Sequence, residues 1–347
     1  MERRNFIKTA TCGALATSLS PLAASQSDAV RQPEYEKPAQ LKDTSFFWVR
    51  GFNYQPGYGR GHGIDVWCDF KPDIIERELS RGKELFPEMN AVRIWLSFDA
   101  FLAEPEKIPE NFTKYIDIIG KVGLRVMPCI FNGWHSIPDF GGMTPESVRY
   151  TLRKNIPGKI DYTLRFVDAL LDRHADDNRI FAWDLCNEPF QNGGEEDYLQ
   201  WLKLLYEHIK ERNEKTCLTI GMNGGSGKMK QIEAFCDLLS THPYLGFKNS
   251  DLIDHANNAG KPMIASEIGW GKLDDAERVE LLHAELSSCI DRKVGFLIHA
   301  LSYSRAADLH HPEDGPVGAP GYMACVEKDG AIRPGHEMIR NYLKINK

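Results

Sequence analysis

The chain has 347 residues, 42% of them hydrophobic and 26% charged, with a formal net charge of −7. That is ordinary globular composition, long enough for a large core, for two domains, or for a single α/β barrel of about 250 residues. The acidic balance argues against a general nucleic-acid binder, which would show a basic patch, and no segment is apolar for long enough to make a stable membrane anchor.

At the N-terminus, Arg3-Arg4-Asn5-Phe6-Ile7-Lys8 resembles the twin-arginine export signal. A weakly apolar stretch from Thr9 to Leu22 and the small residues Ala23-Ala24-Ser25 follow, as in a cleavable leader. Residues 1–25 are therefore set apart from the fold, and the expected destination is the bacterial periplasm or the exterior. The leader carries Glu2, Arg3, Arg4 and Lys8, a net of +2, so the remainder carries −9. Residues 26–44 are polar, include Pro33 and Pro38, and read as a linker. Of eight cysteines, Cys12 lies in the leader. The rest show no CxxC spacing, and Cys129, Cys186 and Cys217 fall in apolar runs, as expected of free buried thiols.

From residue 45 to 347, strand-like and helix-like segments alternate. Strands are predicted over 45–53, 89–96, 124–131, 179–186, 216–222, 239–245, 261–267 and 294–302. Helical spacing of apolar residues marks Ile75 to Leu85, Tyr162 to Arg173, Tyr198 to Arg212 and Asp274 to Asp291. Eight β–α alternations with near-continuous apolar strands predict a parallel sheet covered on both faces. A single (β/α)8 TIM barrel fits best, with a doubly wound sheet as the alternative. No Gly-x-Gly-x-x-Gly follows the first strand, which weakens a dinucleotide-binding reading. Long loops are predicted at 54–72, 132–158 and 303–334, all leaving the strand ends on which barrel active sites are built.

Two glutamates stand at predicted strand ends. Glu188 follows Trp183-Asp184-Leu185-Cys186-Asn187 and precedes Pro189; Glu267 follows Ile264-Ala265-Ser266 and precedes Ile268-Gly269-Trp270. A rigid strand would hold each carboxyl at the mouth of a cleft, as acid-assisted cleavage of a sugar–sugar bond requires. Asn187 beside Glu188 can donate to a sugar hydroxyl. Tyr54, Trp134 and Trp270 follow strand ends and offer rings to a pyranose face. His310-His311-Pro312-Glu313-Asp314 groups potential metal ligands, but the spacing matches no strong zinc signature and reads as a solvated loop. No metal and no cofactor is expected.

In these motifs the chain resembles family 5 glycoside hydrolases, the cellulase and mannanase barrels. The carriers, spread over most of residues 45–345, are Arg50-Gly51-Phe52-Asn53-Tyr54, Val92-Arg93-Ile94-Trp95, Trp183 to Pro189, His242-Pro243-Tyr244 and Ser266-Glu267-Ile268-Gly269. The resemblance implies retaining hydrolysis, with Glu188 as acid and then base and Glu267 as nucleophile. Arg93 and Tyr244 would keep Glu267 ionised, Asn187 would hold the 2-hydroxyl, and His242 would tune Glu188. Candidate sugar contacts are Asn53, Tyr54, Asn132, Trp134, His135, Trp270, His299 and Tyr303. The family's usual Trp at the end of the eighth strand is missing from Phe296-Leu297-Ile298-His299-Ala300-Leu301-Ser302-Tyr303, so His299 or Tyr303 is expected to take its role. The expected substrate is a β-linked oligo- or polysaccharide. Exo-β-mannosidase-like action is favoured over an endo-glucanase or endo-mannanase. A non-catalytic sugar-binding barrel and a metal-dependent barrel hydrolase are the other classes.

Overall fold

Eight short strands pair in parallel, each with the next in sequence, and the last returns to the first: β1 (Arg50–Asn53), β2 (Ala91–Trp95), β3 (Arg125–Asn132), β4 (Trp183–Asn187), β5 (Leu218–Met222), β6 (Leu239–Thr241), β7 (Met263–Ile268) and β8 (Gly295–Ile298). The computed structural model describes residues 38–59, 63–134, 142–153, 161–191, 193–244, 246–247, 251–306, 308–316 and 321–345. The export leader, most of the linker and His135 lie outside the described residues. The closed barrel with intervening helices is the (β/α)8 architecture, and the doubly wound alternative is discarded.

The helices are α1 (Gly63–Cys68), α2 (Pro72–Leu85), α3 (Phe98–Ala103), α4 (Lys107–Lys121), α5 (Pro145–Leu152), α6 (Tyr162–His174), α7 (Glu195–Arg212), α8 (Ser226–Ile232), α9 (Asp251–Ala259), α10 (Asp275–Asp291) and α11 (Ile339–Leu343). Their inner faces follow the helical repeat. In α2 the buried residues are Ile75, Leu79, Gly82 and Leu85, and Pro72 opens the helix where its missing N–H costs nothing. Asp161 caps α6 by accepting from Thr163 and Leu164, and Asp274 caps α10 by accepting from Glu277 at 2.9 Å.

Two of the predicted loops contain helices. Residues 54–72 contain α1 and residues 132–158 contain α5. The α1 segment, Gly-Ile-Asp-Val-Trp-Cys, has poor intrinsic helix propensity. Burial of Val66 and Trp67 holds it, and the Trp67 indole donates to the Trp95 carbonyl at 3.0 Å. Strand β1 also starts five residues later than predicted, because 45–48 form a turn. Residues 38–44 pack on the barrel: Leu41 is buried and its N–H donates to the Arg292 carbonyl at 3.0 Å. All seven described cysteines are free thiols, five of them buried.

The interior changes character along the barrel axis. Near the N-terminal ends of the strands, Val49, Ala91, Met127, Ile264 and Leu297 form an apolar floor, flanked by Phe46 and Trp48. Towards the C-terminal ends the inward positions are Asn53, Arg93, Asp184, Asn187 and Glu267, all buried. Register breaks occur on β4–β5 between Asp184 and Asn187, and on β7–β8 between Ala265 and Ile268. Such irregularities bend a strand end and re-aim its side chains, and here they fall beside the two glutamates.

Gly51 measures how tightly the strands meet. A Cβ there would lie 1.8 Å from the Ala91 carbonyl oxygen, which belongs to the neighbouring strand and cannot step aside. Gly51→Ala is expected to destabilise the barrel by about 3 kcal/mol, at the upper end of overpacking costs. A urea unfolding midpoint equal to that of the unaltered protein would show that the β1–β2 contact is looser than described.

Candidate active site

Arg93 is the hub of the barrel mouth. Its Nε and Nη2 donate to Asp184 Oδ2 at 3.1 and 2.7 Å. Its Nη1 donates to Glu267 Oε2 at 3.0 Å and to Asn53 Oδ1 at 3.1 Å, and Nη2 also reaches Asn187 Oδ1 at 2.7 Å. One guanidinium on β2 thus ties β1, β4 and β7 together. Gly221 on β5 leaves room for this: a Cβ there would stand 2.9 Å from His242 Nε2, 3.0 Å from Asp184 Oδ2 and 3.2 Å from Arg93 Nη2. Burial works against the charge on Arg93, but Asp184 and then Glu267 outweigh it and raise its pKa.

Glu267 ends β7 with both oxygens occupied. Oε2 faces Arg93; Oε1 accepts from the Tyr244 hydroxyl and lies 3.0 Å from His299 Nδ1. Burial alone would raise its pKa. The charges of His299, His242 and Arg93, with the His299 contact, reverse that and hold it well below the usual carboxylate range. Burial and then the neighbouring Glu267 and Glu188 push the Tyr244 hydroxyl well above its ordinary value, so it remains a donor.

Glu188 follows β4 at φ 45°, a left-handed conformation uncommon for a residue with a side chain. Its N–H donates to the Gly221 carbonyl at 2.8 Å, and Oε1 lies 2.6 Å from His242 Nδ1. A carboxylate oxygen of Glu188, one of Glu267 and a ring nitrogen of His242 all fall within 4.8 Å of one another. Three such donors could hold a metal ion. The donor set argues against it, because Arg93 and Tyr244 already engage the Glu267 carboxylate with hydrogens.

The cleft above this pair is lined by Trp95, Asn132, Trp134, Trp270, His299 and Asp308, among others. Trp270 packs edge-on to Tyr244 with centroids 4.8 Å apart. The structure therefore gathers Arg93, Asn187, Glu188, His242, Tyr244 and Glu267, with Asn132, Trp134, Trp270 and His299 around them. Asn132 is partly committed to its own loop, donating to the Trp134 carbonyl at 2.6 Å and accepting from Asn187 Nδ2 at 2.9 Å.

Three expected sugar contacts are misplaced. Asn53 is fully buried and spends its amide on the Ser266 and Leu297 carbonyls at 3.0 and 3.2 Å. Tyr54 is also fully buried, its hydroxyl donating to Glu78 Oε2 at 2.7 Å. The reason is the two-residue strand repeat: with Asn53 pointing inward, Tyr54 turns out towards the helices. Tyr303 donates to Asp314 Oδ2 at 2.7 Å and lines a separate hollow beside Tyr58 and Glu78. Of the two candidates for the missing Trp, only His299 reaches the cleft. The solvated reading of 310–314 fits exposed Pro312 and Glu313 but fails at His310, which is buried with its ring nitrogens 2.7 and 2.9 Å from the Ala306 and Pro316 carbonyls.

Asp184, Trp95 and Asp308 were missed as site residues. Trp95 had a signal, because it stands two residues after Arg93 and so shares its face of β2. Asp184 is an acid inside an apolar strand, a position that demands a partner. Asp308 had none: it lies in a loop without periodicity and takes φ 63°.

A (β/α)8 barrel with a paired-carboxyl cleft at the C-terminal ends of its strands defines the class. No family model matches the chain. It is 28% identical over 150 residues to a probable mannan endo-1,4-β-mannosidase A of Aspergillus clavatus, covering 42% of this chain and 38% of that protein. It is 28% identical over 185 residues to a mannan endo-1,4-β-mannosidase A of Podospora anserina, covering 43% and 47%. The chain thus matches less than half the length of these curated relatives. Among solved structures, an exo-β-1,4-mannosidase from an Opitutaceae bacterium superposes with TM-score 0.63 at 18% identity, covering 85% of this chain and 59% of that one. A hyperthermostable endo-1,4-β-D-mannanase from Thermotoga petrophila gives 0.62 at 16%, covering 85% and 99%. These relatives and the shared barrel make the chain similar to mannan-cleaving glycoside hydrolases of the kind its motifs resemble.

The hub gives a direct test. Asp184→Ala leaves Arg93 buried without its main counter-charge and is expected to cost about 3–5 kcal/mol of folding stability. Denaturant titration checks this, and a loss below about 1 kcal/mol would mean that Asp184 does not anchor Arg93.

Proposed function

We propose that the chain hydrolyses β-mannosidic bonds with retention of configuration, with Glu188 as general acid/base and Glu267 as nucleophile. The supporting observation is the carboxylate oxygens of the two glutamates within 4.8 Å of one another. Retaining glycosidases hold their carboxyls about 5–5.5 Å apart, whereas inverting ones leave about 6.5–9.5 Å for a water. In this reading Glu188 gives its proton to the glycosidic oxygen as the Glu267 carboxylate bonds to C1. Glu188 then takes a proton from water, the water oxygen bonds to C1, and Glu267 leaves as a carboxylate. The anchored state of Glu267 supports its role, since a nucleophile must remain ionised. Asn187 keeps a second amide N–H, beyond the one given to Asn132, for the 2-hydroxyl.

The mannoside assignment follows from the activities for which the relatives are named. Chain-end attack is favoured by the loop after β8, which brings Asp308, Leu309 and Met323 to the cleft wall. Internal cleavage is the second reading, because the curated relatives are endo-acting by name. Export is proposed on Arg3-Arg4 and the following Phe6 and Lys8. Among the described residues no helix is long and apolar enough to cross a membrane.

With an aryl β-mannoside, Glu267→Gln is expected to reduce turnover to background. Glu188→Gln should lower kcat about 10²–10⁴-fold on a poor leaving group and much less on an activated one, which needs no protonation. Proton NMR of the first product should show the β-anomer of mannose; α-anomer appearing first rejects retention, and no cleavage of any β-mannoside rejects the substrate class. Arg3→Lys with Arg4→Lys should keep an attached reporter in the cytoplasm, and unchanged export would remove the twin-arginine reading.

A further inference from the structure

We propose that His299 is a positioning residue for the Glu267 carboxylate, donating from Nδ1 towards Oε1, and is more than a ring at the cleft floor. The inference rests on the reading of Glu267 as the nucleophile. Where the family's usual Trp would offer a ring face, this chain places an imidazole whose nitrogen is 3.0 Å from a carboxylate oxygen. The backbone sets the ring there: His299 N–H donates to the Ile268 carbonyl at 2.7 Å, so His299 follows β8 directly opposite the end of β7. Arg278 Nη2 of α10 holds the His299 carbonyl at 3.0 Å, and the ring packs on Trp95 with centroids 5.6 Å apart.

Chemistry fixes a proton on Nδ1. A carboxylate only accepts, so a bare nitrogen lone pair at 3.0 Å would be repelled, and the proton belongs on Nδ1. The approach is off-line for a full hydrogen bond, and among the described residues buried Nδ1 has no other partner. Glu267 Oε1 is the acceptor that Nδ1 faces. The other charged or titratable groups facing this pair are Arg93 of β2, Glu188 after β4, His242 (Nδ1 3.8 Å from Oε2) and Tyr244 after β6, Asp308 in the loop after β8, and Arg278. A donor at Oε1 favours the ionised form, and its removal raises the pKa of Glu267.

His299→Phe keeps a ring against Trp95 and removes the donor. His299→Asn keeps an N–H near the Nδ1 position and loses the ring. With [δ-13C]glutamate labelling, Glu267 should titrate at least about one pH unit higher in His299→Phe than in the unaltered protein. His299→Asn should return it most of the way. The acid limb of the kcat/KM profile on an aryl β-mannoside should move in the same order. A Glu267 carboxyl that titrates at the same pH in all three proteins, or within the accessible range in none, overturns the proposal. So does a loss of kcat/KM that is uniform across pH, the result expected of a floor residue alone. The NMR titration needs no substrate. A protein inactive on β-mannosides but showing the shift would refute the proposed reaction and leave the His299 contact standing.

Discussion

Everything at the barrel mouth is organised around one buried cation. Arg93 has no access to water, so its charge must be met inside the protein, and Asp184 meets it with two hydrogen bonds, of 3.1 and 2.7 Å. Taking both ions out of water costs several kcal/mol each, so such a pair is weak as a source of net stability. What the pair secures is geometry. With Asp184 holding one edge of the guanidinium, the remaining N–H groups point at Asn53, Asn187 and Glu267, each on a different strand. Shifting the register of any of these strands by one residue would leave a buried charge or amide unpaired.

That constraint separates the two carboxyls chemically. Glu267 is held by Arg93 and Tyr244 and flanked by His299, an environment that keeps it charged despite burial. Glu188 has His242 as its polar partner and, among the described residues, no guanidinium bound to it. Two acids of the same type thereby stand a few ångströms apart in different surroundings, which is the arrangement acid-assisted glycoside cleavage needs. The strained φ of Glu188 and the register breaks on β4 and β7 belong to the same design, since a regular strand end would not turn both carboxyls onto one cleft.

The repeat of the fold was legible because parallel strands buried on both faces are apolar throughout. The helices that carry a long apolar stripe, such as α2 and α6, were legible for a related reason. The shortest helices were not. In α1, six residues of weak propensity are helical only because Trp67 finds a pocket beneath them. The chemistry-bearing residues were visible where a motif lay on a strand: Arg93, Asn187, Glu188 and Glu267. Tyr54 and Tyr303 show where motif reading fails. Proximity to a strand end does not give the direction of a side chain, and both rings turn away from the cleft.

The sequence by itself determined the alternation of strands and helices and the two glutamates at strand ends, because hydrophobic period and strand-end position are local properties. The motif resemblance implied Arg93, Tyr244 and His242 as their partners, and only the tertiary structure decided that Asp184 anchors Arg93 and that His299 meets Glu267. Asp184, Arg93, His299 and the His242–Tyr244 segment come from four places in the chain, and their convergence depends on barrel closure and register. Tertiary structure likewise decided that His299 and not Tyr303 reaches the cleft, since β8 ends opposite β7 and brings the imidazole against Glu267.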